Sequence, residues 1–215
     1  MTLLVATTNP GKLREIAGIL ADVPVELVTL DRFRGVAEPE ETGTTFAANA
    51  RLKALYYAGA TGLPTVAEDS GLEIEALDNS PGVQSARWHG SDYAVKFRAI
   101  YGLLRERGRD TSPARFVCAL AFARDGRVEY EARGVVEGRI APEPRGTQGF
   151  GYDPIFYYPP YGRTLAEVDG AEKAAVSHRG QAFTAFRDFL AARTGTPEPW
   201  EADPPTPPRN VTPRP

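Results

Sequence analysis

Apolar positions in the first 60 residues alternate between the spacing of short strands and that of amphipathic helices. An apolar run at 3–6 ends in an Asn-Pro-Gly turn, and helical spacing of apolar residues follows from 12 to 20. Residues 25–30 predict a second strand. After an acidic loop at 36–44, which contains a proline and a glycine, a helix is predicted from a threonine cap at 44 or 45 to about 60.

The middle of the chain is richer in β-forming segments. A brief strand at 65–67 is predicted to end at Glu68-Asp69-Ser70-Gly71, and 72–77 alternates like a further strand. Helical spacing returns at 92–107. Two β-rich runs between 114 and 138 are joined by Asp-Gly, which is typical of a tight hairpin turn.

The C-terminal part is predicted to close one domain and to continue into a tail. A glycine- and proline-rich segment at 142–162 precedes a short predicted helix at 164–174 and a final one at 180–193. Mixed strands and helices around an antiparallel hairpin predict an α/β fold for residues 1–196. Eight of the 19 residues in 197–215 are proline, so this tail is expected to be extended or disordered.

Composition narrows the class of protein. The 25 basic and 28 acidic residues give a formal charge of −3, which argues against a nucleic-acid-binding surface. No apolar run approaches the ~18 residues of a membrane helix. The N-terminus lacks the features of a signal peptide, so the cytoplasm is the expected location. The single cysteine, Cys118, excludes an intrachain disulfide and is expected to be a buried thiol.

The first candidate site is the turn Thr7-Thr8-Asn9-Pro10-Gly11-Lys12. A turn between a strand and a helix presents backbone N–H groups at the positive end of the helix dipole, where phosphate oxygens bind, and Lys12 adds a full charge. The segment differs from a Walker A loop, because Ala6 stands where the first glycine would be and Leu13 follows the lysine. Taken alone, it fits a plain turn with a surface lysine equally well.

Carboxylates form the second candidate site. Glu38, Glu40 and Glu41 share one loop, and Asp69 follows an apolar strand and precedes Ser70-Gly71. Magnesium binds one or two carboxylates together with waters and substrate phosphates, and these ligands can come from separate loops. Asp69 is expected to be an active-site residue because such residues collect at strand ends. Glu38 is interpreted as a solvated surface acid.

The predicted helix that begins near residue 45 carries a third candidate. Asn49 and Lys53 are four residues apart and share one face of the helix. That face can look into a cleft, although a solvent-facing lysine is the simpler reading.

Two later segments place polar groups beside aromatic rings. Gly149-Phe150-Gly151-Tyr152-Asp153 is a glycine-rich turn that can bring an aromatic ring against a base, and Asp153 can accept a hydrogen bond from a base N–H. Lys173 and Ser177-His178-Arg179 offer donors for a carbonyl oxygen or a phosphate. Hydrophobic cover and a helix cap are the simpler readings of these segments.

Taken together, the segments resemble the inosine triphosphate pyrophosphatase family, also called the Ham1-like or dITP/XTP pyrophosphatase family. The resemblance spans about 3–190, and its specificity comes from the order of the motifs. These motifs are Thr7 to Lys12, Glu40-Glu41-Thr42-Gly43 with Thr45-Phe46 and Asn49, Lys53, Glu68 to Leu72, Pro81-Gly82-Val83 with Ser85-Ala86-Arg87, Gly149 to Pro154, and Ser177-His178-Arg179. The proline-rich tail has no counterpart.

The resemblance implies an elongated, two-lobed α/β fold with a central mixed sheet, a cleft between the lobes, and a homodimer. It implies hydrolysis of ITP, dITP or XTP between the α- and β-phosphates, with Mg²⁺ as cofactor. Metal binding is implied for Glu40 or Glu41 with Asp69, and catalysis for Asp69 and Lys53. Substrate contacts are implied for Thr7, Thr8, Asn9, Gly11, Lys12, Ser70, Phe150, Gly151, Tyr152, Asp153, Lys173, His178 and Arg179.

Two other functions are compatible with these residues. A non-catalytic purine nucleotide-binding module or sensor would use the same cradle but would not need a metal-activated water. A related pyrophosphatase acting on other nucleotides would differ only in its base pocket. Glu68 stands where many members of the family have aspartate, which bears on its distance from the metal.

Overall fold

The fold is built around one mixed β-sheet. The computed structural model describes residues 1–194, so the predicted tail at 197–215 lies outside the described residues. The strands are β1 (Thr2–Val5), β2 (Glu26–Thr29), β3 (Thr65–Ile74), β4 (Ser80–Pro81), β5 (Pro113–Arg124), β6 (Arg127–Ile140), β7 (Phe156–Tyr158) and β8 (Arg163–Thr164). Their order is β2-β1-β3-β5-β6-β7-β8, and β4 pairs with the end of β3. β1 is parallel to β2 and β3, whereas the remaining pairs are antiparallel.

The longer helices begin at side-chain caps. The helices are α1 (Pro10–Ile19), α2 (Phe46–Thr61), α3 (Tyr93–Glu106), α4 (Gly170–Val176) and α5 (His178–Thr194). Asn9, Thr45 and Asp92 accept backbone N–H groups at the starts of α1, α2 and α3. Each cap satisfies donors that have no partner within the helix.

Helices cover both faces of the sheet. Ala50 and Ala54 of α2 are buried on one face with strand residues such as Ala119. Ile16 of α1 and Phe186 of α5 are buried on the other face. Full burial of a large apolar side chain stabilises the fold by about 1.5–3 kcal/mol. Packing on the two faces therefore holds the helices in place, including those whose polar side chains point toward the sheet.

A separate core lies beneath α3. It joins Ile100 and Leu104 of α3 to Ile155 and Phe156 and to residues of β3, β5 and β6. The same three strands contribute to the cores beneath the other helices, and they therefore connect two lobes. The predicted α/β fold with a central mixed sheet is confirmed. None of the helices in the described part of the chain has the length and apolar character needed to cross a membrane.

Several local predictions are confirmed. The helix predicted from 45 to about 60 is α2, and the one predicted at 92–107 is α3. The predicted hairpin joins β5 and β6, with Asp125 and Gly126 at φ 51° and 75° in the turn. Both residues therefore occupy the left-handed region that a tight hairpin turn requires. Cys118 is fully buried, and burial raises the pKa of its thiol.

Other boundaries were predicted wrongly. The segments at 65–67 and 72–77 are not two strands separated by a turn, because β3 runs unbroken from Thr65 to Ile74 and pairs with β5 along its whole length. The short helix predicted at 164–174 is replaced by β8 and by α4, which starts only at Gly170, since Asp169 and Glu172 form a capping box there. The glycine- and proline-rich segment at 142–162 contains β7, and the final helix, predicted from about 180, starts at His178.

One edge of β3 is open in its middle. The last backbone bond from the β1 side joins the Ala6 N–H to the Val66 carbonyl, and β4 pairs only with Glu73 and Ile74. Between them, the Leu72 N–H donates to Ser85 Oγ at 2.9 Å. The acidic pair Glu68-Asp69 therefore lies beside a gap in the sheet, within a strand and not at its end as predicted.

Candidate active site

The turn after β1 orients predicted phosphate-binding residues toward one cavity. Asn9 Oδ1 accepts the N–H groups of Gly11 at 2.8 Å and of Lys12 at 3.2 Å. Thr7, Thr8, Asn9 and Lys12 line the cavity. Gly11 does not line it: its N–H is used by Asn9, and a Cβ at this position would lie 2.7 Å from Phe150 Cδ1. The absence of a side chain at Gly11 therefore makes room for that ring.

A buried charge cluster lies in the same cavity. Lys53 Nζ is 2.5 Å from Glu41 Oε1 and 3.6 Å from Asp69 Oδ1. Asn49 Nδ2 donates to Asp69 Oδ2 at 3.0 Å, and Asn49 Oδ1 accepts the Gly43 N–H at 2.8 Å. One face of α2 thus joins the acidic loop to β3, so the predicted shared face of Asn49 and Lys53 looks into the cleft.

The glutamates of the acidic loop differ in position. Glu41 lines the cavity and also accepts Arg87 Nη2 at 2.8 Å. Glu40 is exposed and is not part of the cavity wall. Glu38, interpreted from the sequence as a surface acid, is exposed but does contribute to the rim. Of the alternatives Glu40 and Glu41, only Glu41 is brought close to Asp69.

The pKa values of Asp69, Glu41 and Lys53 are not all shifted in the same direction. Burial raises the pKa of Asp69, although Lys53 and Asn49 oppose this shift. Burial would also raise the pKa of Glu41, but Lys53 and Arg87 outweigh it and lower the pKa. Burial disfavours the ammonium of Lys53, yet the charges of Asp69 and Glu41 raise its pKa. Asp69 is thus the more basic of the two carboxylates relative to its ordinary value.

Glu68 faces the opposite side of the sheet from Asp69. Consecutive residues of a strand point to opposite faces, and the Glu68 carboxylate contacts Lys12 Nζ at 3.0 Å and Arg179 Nη2 at 3.0 Å. Burial opposes its charge, but Arg179 and Lys12 dominate and lower its pKa. Glu68 also lines the cavity that contains Asp69, but its carboxylate pairs with Lys12 of the turn after β1 and with Arg179 of α5.

The glycine-rich turn forms a second group around an ion pair. Asp153 Oδ2 accepts the Phe150 N–H at 2.8 Å and contacts Lys173 Nζ at 2.5 Å. Lys173 Nζ also contacts Glu15 Oε1 at 2.8 Å and lies 4.6 Å from the centroid of the Phe150 ring. Burial raises the pKa of Asp153 despite the Lys173 charge. These contacts fix the Phe150 ring between α1 and the last turn of α4.

The start of α5 brings His178 and Arg179 to the same region. The His178 ring stacks on Phe116 with centroids 4.9 Å apart, and its buried Nδ1 has no hydrogen-bond partner among the described residues. Arg179 Nη2 donates to Ser70 Oγ at 2.9 Å and Arg179 Nη1 to Glu15 Oε2 at 2.7 Å. Burial is the first cause that lowers the pKa of His178 well below its usual value, so the ring is neutral.

Two adjoining cavities result. The first, on the side of the predicted phosphate-binding turn, contains the acidic cluster. The second, on the side of the predicted base contacts, contains the glycine-rich turn and the start of α5. The two cavities share Asn9, Lys12, Ser70 and Ala86. The predicted residues in the second cavity are Asn9, Lys12, Ser70, Phe150, Gly151, Tyr152, Asp153, Lys173, His178 and Arg179. The predicted site residues thus converge on one cleft, with the exceptions of Gly11 and Glu40.

Glu15 was missed from the sequence. It connects Lys173 to Arg179 and is therefore part of the base-side charge network. A signal was present, because Glu15 is three residues after Lys12 in a predicted helix, and residues at this spacing share a face. Without knowledge of the partners of Glu15 on α4 and α5, an ion pair between Lys12 and Glu15 on an exposed helix face would explain the same spacing equally well.

The donor set in the first cavity fits a magnesium ion shared with phosphates. No group of three or more His, Cys, Asp or Glu side chains suited to a metal occurs in residues 1–194. Magnesium, however, is often held by one or two carboxylates, with water and substrate phosphates completing the shell. Glu41 and Asp69 both face the Lys53 ammonium, so the two carboxylates already converge on one cation.

Comparisons with known proteins agree with this arrangement. The sequence model of the Ham1 family matches residues 3–189. A dITP/XTP pyrophosphatase of Thermus thermophilus is 48% identical over 205 residues, which cover 94% of this chain and 96% of that protein. A dITP/XTP pyrophosphatase of Exiguobacterium sp. (strain ATCC BAA-1283 / AT1b) is 44% identical over 182 residues, which cover 85% and 93%.

A solved structure of a related protein has a similar fold. The structure of a HAM1 protein from Coxiella burnetii superposes with a TM-score of 0.82 at 40% identity, covering 89% of this chain and 99% of that one. By sequence and by structure, the chain belongs to the Ham1 family.

Proposed function

We propose that this chain is a nucleoside triphosphate pyrophosphatase that hydrolyses non-standard purine nucleotides, such as ITP, dITP and XTP, to the monophosphate and pyrophosphate. The observation that carries the proposal is the adjoining pair of cavities, one with Glu41, Lys53 and Asp69 and the other with Phe150 and His178. The relatives named dITP/XTP pyrophosphatase support the same reaction.

The first cavity suits the triphosphate. A triphosphate carries about four negative charges at neutral pH, and Lys12 and Lys53 offset part of that charge, including the charge that develops on the leaving pyrophosphate. Glu41 and Asp69 would hold Mg²⁺, which, when bound, supplies positive charge at the phosphates and makes a water more acidic. Asp69 is the residue proposed to take the proton from the attacking water, because its carboxylate lies in this cavity beside Lys53.

The second cavity suits a purine with a 6-oxo group. Phe150 is proposed to stack on the base, with Asp153 and Lys173 holding its turn in place. His178 has a buried ring nitrogen, Nδ1, with no hydrogen-bond partner in residues 1–194, and a polar base edge would satisfy it. A site built to hydrogen-bond one base edge rejects an analogue that leaves its polar groups unpaired, so ATP should be a poor substrate.

Arg179 has less capacity for the base than its sequence position suggested. Four of its five N–H donors are used by Glu68, Glu15 and Ser70 in the structure. It is therefore proposed to contribute one donor and to keep Ser70 in place. The homodimer that the family resemblance implies is also a proposal, and so is the expected cytoplasmic location.

The test is pyrophosphate release from ITP, dITP, XTP, ATP and GTP, each with and without Mg²⁺. We expect turnover of the 6-oxo purines ITP, dITP and XTP that depends on Mg²⁺ and little turnover of ATP. Equal rates on ATP and ITP would remove the proposed base selection. Binding of ITP without any pyrophosphate release would favour the nucleotide sensor.

A further inference from the structure

Lysine is concentrated at the cleft in this chain. The sequence contains four lysines, and arginine provides its other basic residues. Lys12, Lys53 and Lys173 line the two cavities. The fourth, Lys96, lies in α3 and is 0% exposed, but it contacts the wall of the same cleft. Neither the proposed reaction nor the family motifs assign it a role.

The ammonium of Lys96 holds the backbone of the segment that precedes α3. Nζ donates to the carbonyl oxygens of Ser85 at 2.9 Å and of Ala86 at 2.7 Å. It also lies 4.5 Å from the centroid of the Tyr93 ring and 5.6 Å from that of the Tyr152 ring. The Tyr152 hydroxyl donates to the same Ser85 carbonyl at 2.9 Å. Lys96 therefore ties α3 to the segment and to the aromatic turn.

The segment that Lys96 holds forms part of both cavities. Ser85 and Ala86 line the second cavity, on the base side, and Ala86 and Arg87 line the first cavity, on the phosphate side. Ser85 Oγ also accepts the Leu72 N–H at 2.9 Å, which ties the segment to the open edge of β3. A shift of the Ser85 and Ala86 carbonyls would therefore move the wall that both cavities share.

The charge of Lys96 is not neutralised within the described part of the chain. Its contacts are two carbonyl oxygens and two aromatic rings, and it forms no ion pair with a carboxylate in residues 1–194. Burying a cation without a counter-ion costs stability. A polyanion in the adjoining cleft would offset this cost, because attraction between charges is stronger where water is excluded.

We propose that Lys96 is a positioning residue for the triphosphate: it fixes the Ser85–Ala86 wall and places a buried positive charge behind it. The inference rests on the proposed function, because it takes the ligand of the cleft to be a nucleoside triphosphate or its pyrophosphate product. Lys96 touches no reacting atom in this scheme and acts through the wall. Its loss should weaken binding of the ground state and the transition state equally.

The experiment compares K96M with a matched variant of the same helix, I100M. Ile100 is also 0% exposed in α3 and belongs to the core beneath it, away from the Ser85–Ala86 carbonyls. The measurements are KM and kcat for ITP, the affinity for inorganic pyrophosphate by calorimetry, and the thermal midpoint of unfolding. K96Q is neutral but retains a hydrogen-bond donor. It is measured in the same way and takes the place of K96M if K96M does not fold.

For K96M we expect KM for ITP and the dissociation constant for pyrophosphate to rise about tenfold, because the wall loses its support and the cleft loses a nearby positive charge, with kcat within about twofold. The thermal midpoint should be unchanged or higher, and I100M should keep the wild-type KM. K96Q should recover part of the affinity. Wild-type KM and pyrophosphate affinity in K96M, or a fall in its thermal midpoint with no change in KM, would overturn the assignment.

The wild-type protein separates this inference from the proposed function. If it releases pyrophosphate from ITP and binds pyrophosphate while K96M behaves identically, only the role of Lys96 fails. If the wild-type protein does neither, the proposed function fails and the role of Lys96 fails with it.

Discussion

Protonation of His178 is expected to couple the stability of the fold to pH. His178 is the first residue of α5, is 5% exposed and stacks on Phe116. Burial, reinforced by the charge of Arg179, lowers the pKa of His178 well below its usual value. The folded protein therefore keeps this ring neutral at pH values where the same histidine is charged in the unfolded chain.

The sign and size of the effect follow from proton linkage. Below the unfolded pKa of about 6.5, the unfolded chain binds one proton at this position that the folded protein does not bind. The free energy of unfolding therefore falls as the pH drops, by up to about 1.4 kcal/mol per pH unit from His178 alone. Between pH 7.5 and pH 5 this amounts to about 2 kcal/mol. In a domain of this size the thermal midpoint then falls by about 4–8 °C.

The two histidines of the chain provide a matched pair of variants. His178→Asn removes the titrating ring, whereas His89→Asn changes an exposed histidine with φ 52°, a conformation that asparagine tolerates. Chemical unfolding at pH 7.5 and pH 5 gives the free energy of unfolding for each protein. We expect the loss between the two pH values to be about 2 kcal/mol smaller in His178→Asn than in the wild type, and unchanged in His89→Asn. An equal loss in all three proteins would refute the reasoning.

Three further variants test other parts of the site. Asp69→Asn should lower kcat for ITP by about 10²–10⁴-fold at an unchanged circular dichroism spectrum, because it removes the proposed proton acceptor; near-normal turnover would eliminate that assignment. Gly11→Ala should raise KM for ITP, since its new Cβ would displace the Phe150 ring, and an unchanged KM would count against stacking. Glu68→Gln should lower the free energy of unfolding by about 3–5 kcal/mol, because the buried Arg179 and the partly buried Lys12 each lose a charged partner. Glu26→Gln, at an exposed ion pair, is the control and should cost less than about 1 kcal/mol; equal losses in the two glutamine variants would contradict the buried pairing.

Much of the architecture could be predicted from local patterns. The cap at Thr45, the Asp125-Gly126 turn and the apolar spacing of α3 are short-range signals, and each of them gave an element that the structure contains. The break predicted inside β3 failed because Ser70-Gly71 resembles a turn. Pairing with β5 over ten residues overrides that local signal, since backbone hydrogen bonds to a central neighbour favour an extended chain.

The contacts within the site were harder to predict from the sequence than the fold was. The motif order brought most of its residues together, but nothing local distinguishes Glu40 from Glu41, and only the course of the loop turns Glu41 toward Lys53. The contacts of Glu15 depend on helices more than 150 residues later in the chain, as its bond to Arg179 shows. Lys96 gave no signal, because its partners are backbone carbonyls, which any sequence provides.

The alternation of side chains along β3 constrains how this protein can change. Ten consecutive residues of β3 are in register with β5, so a one-residue insertion or deletion there cannot be absorbed by a neighbouring turn. Such a change would exchange the faces, sending the Asp69 carboxylate toward α5 and the Glu68 carboxylate toward α2. This strand therefore tolerates replacement of one side chain by another, but not a change of length.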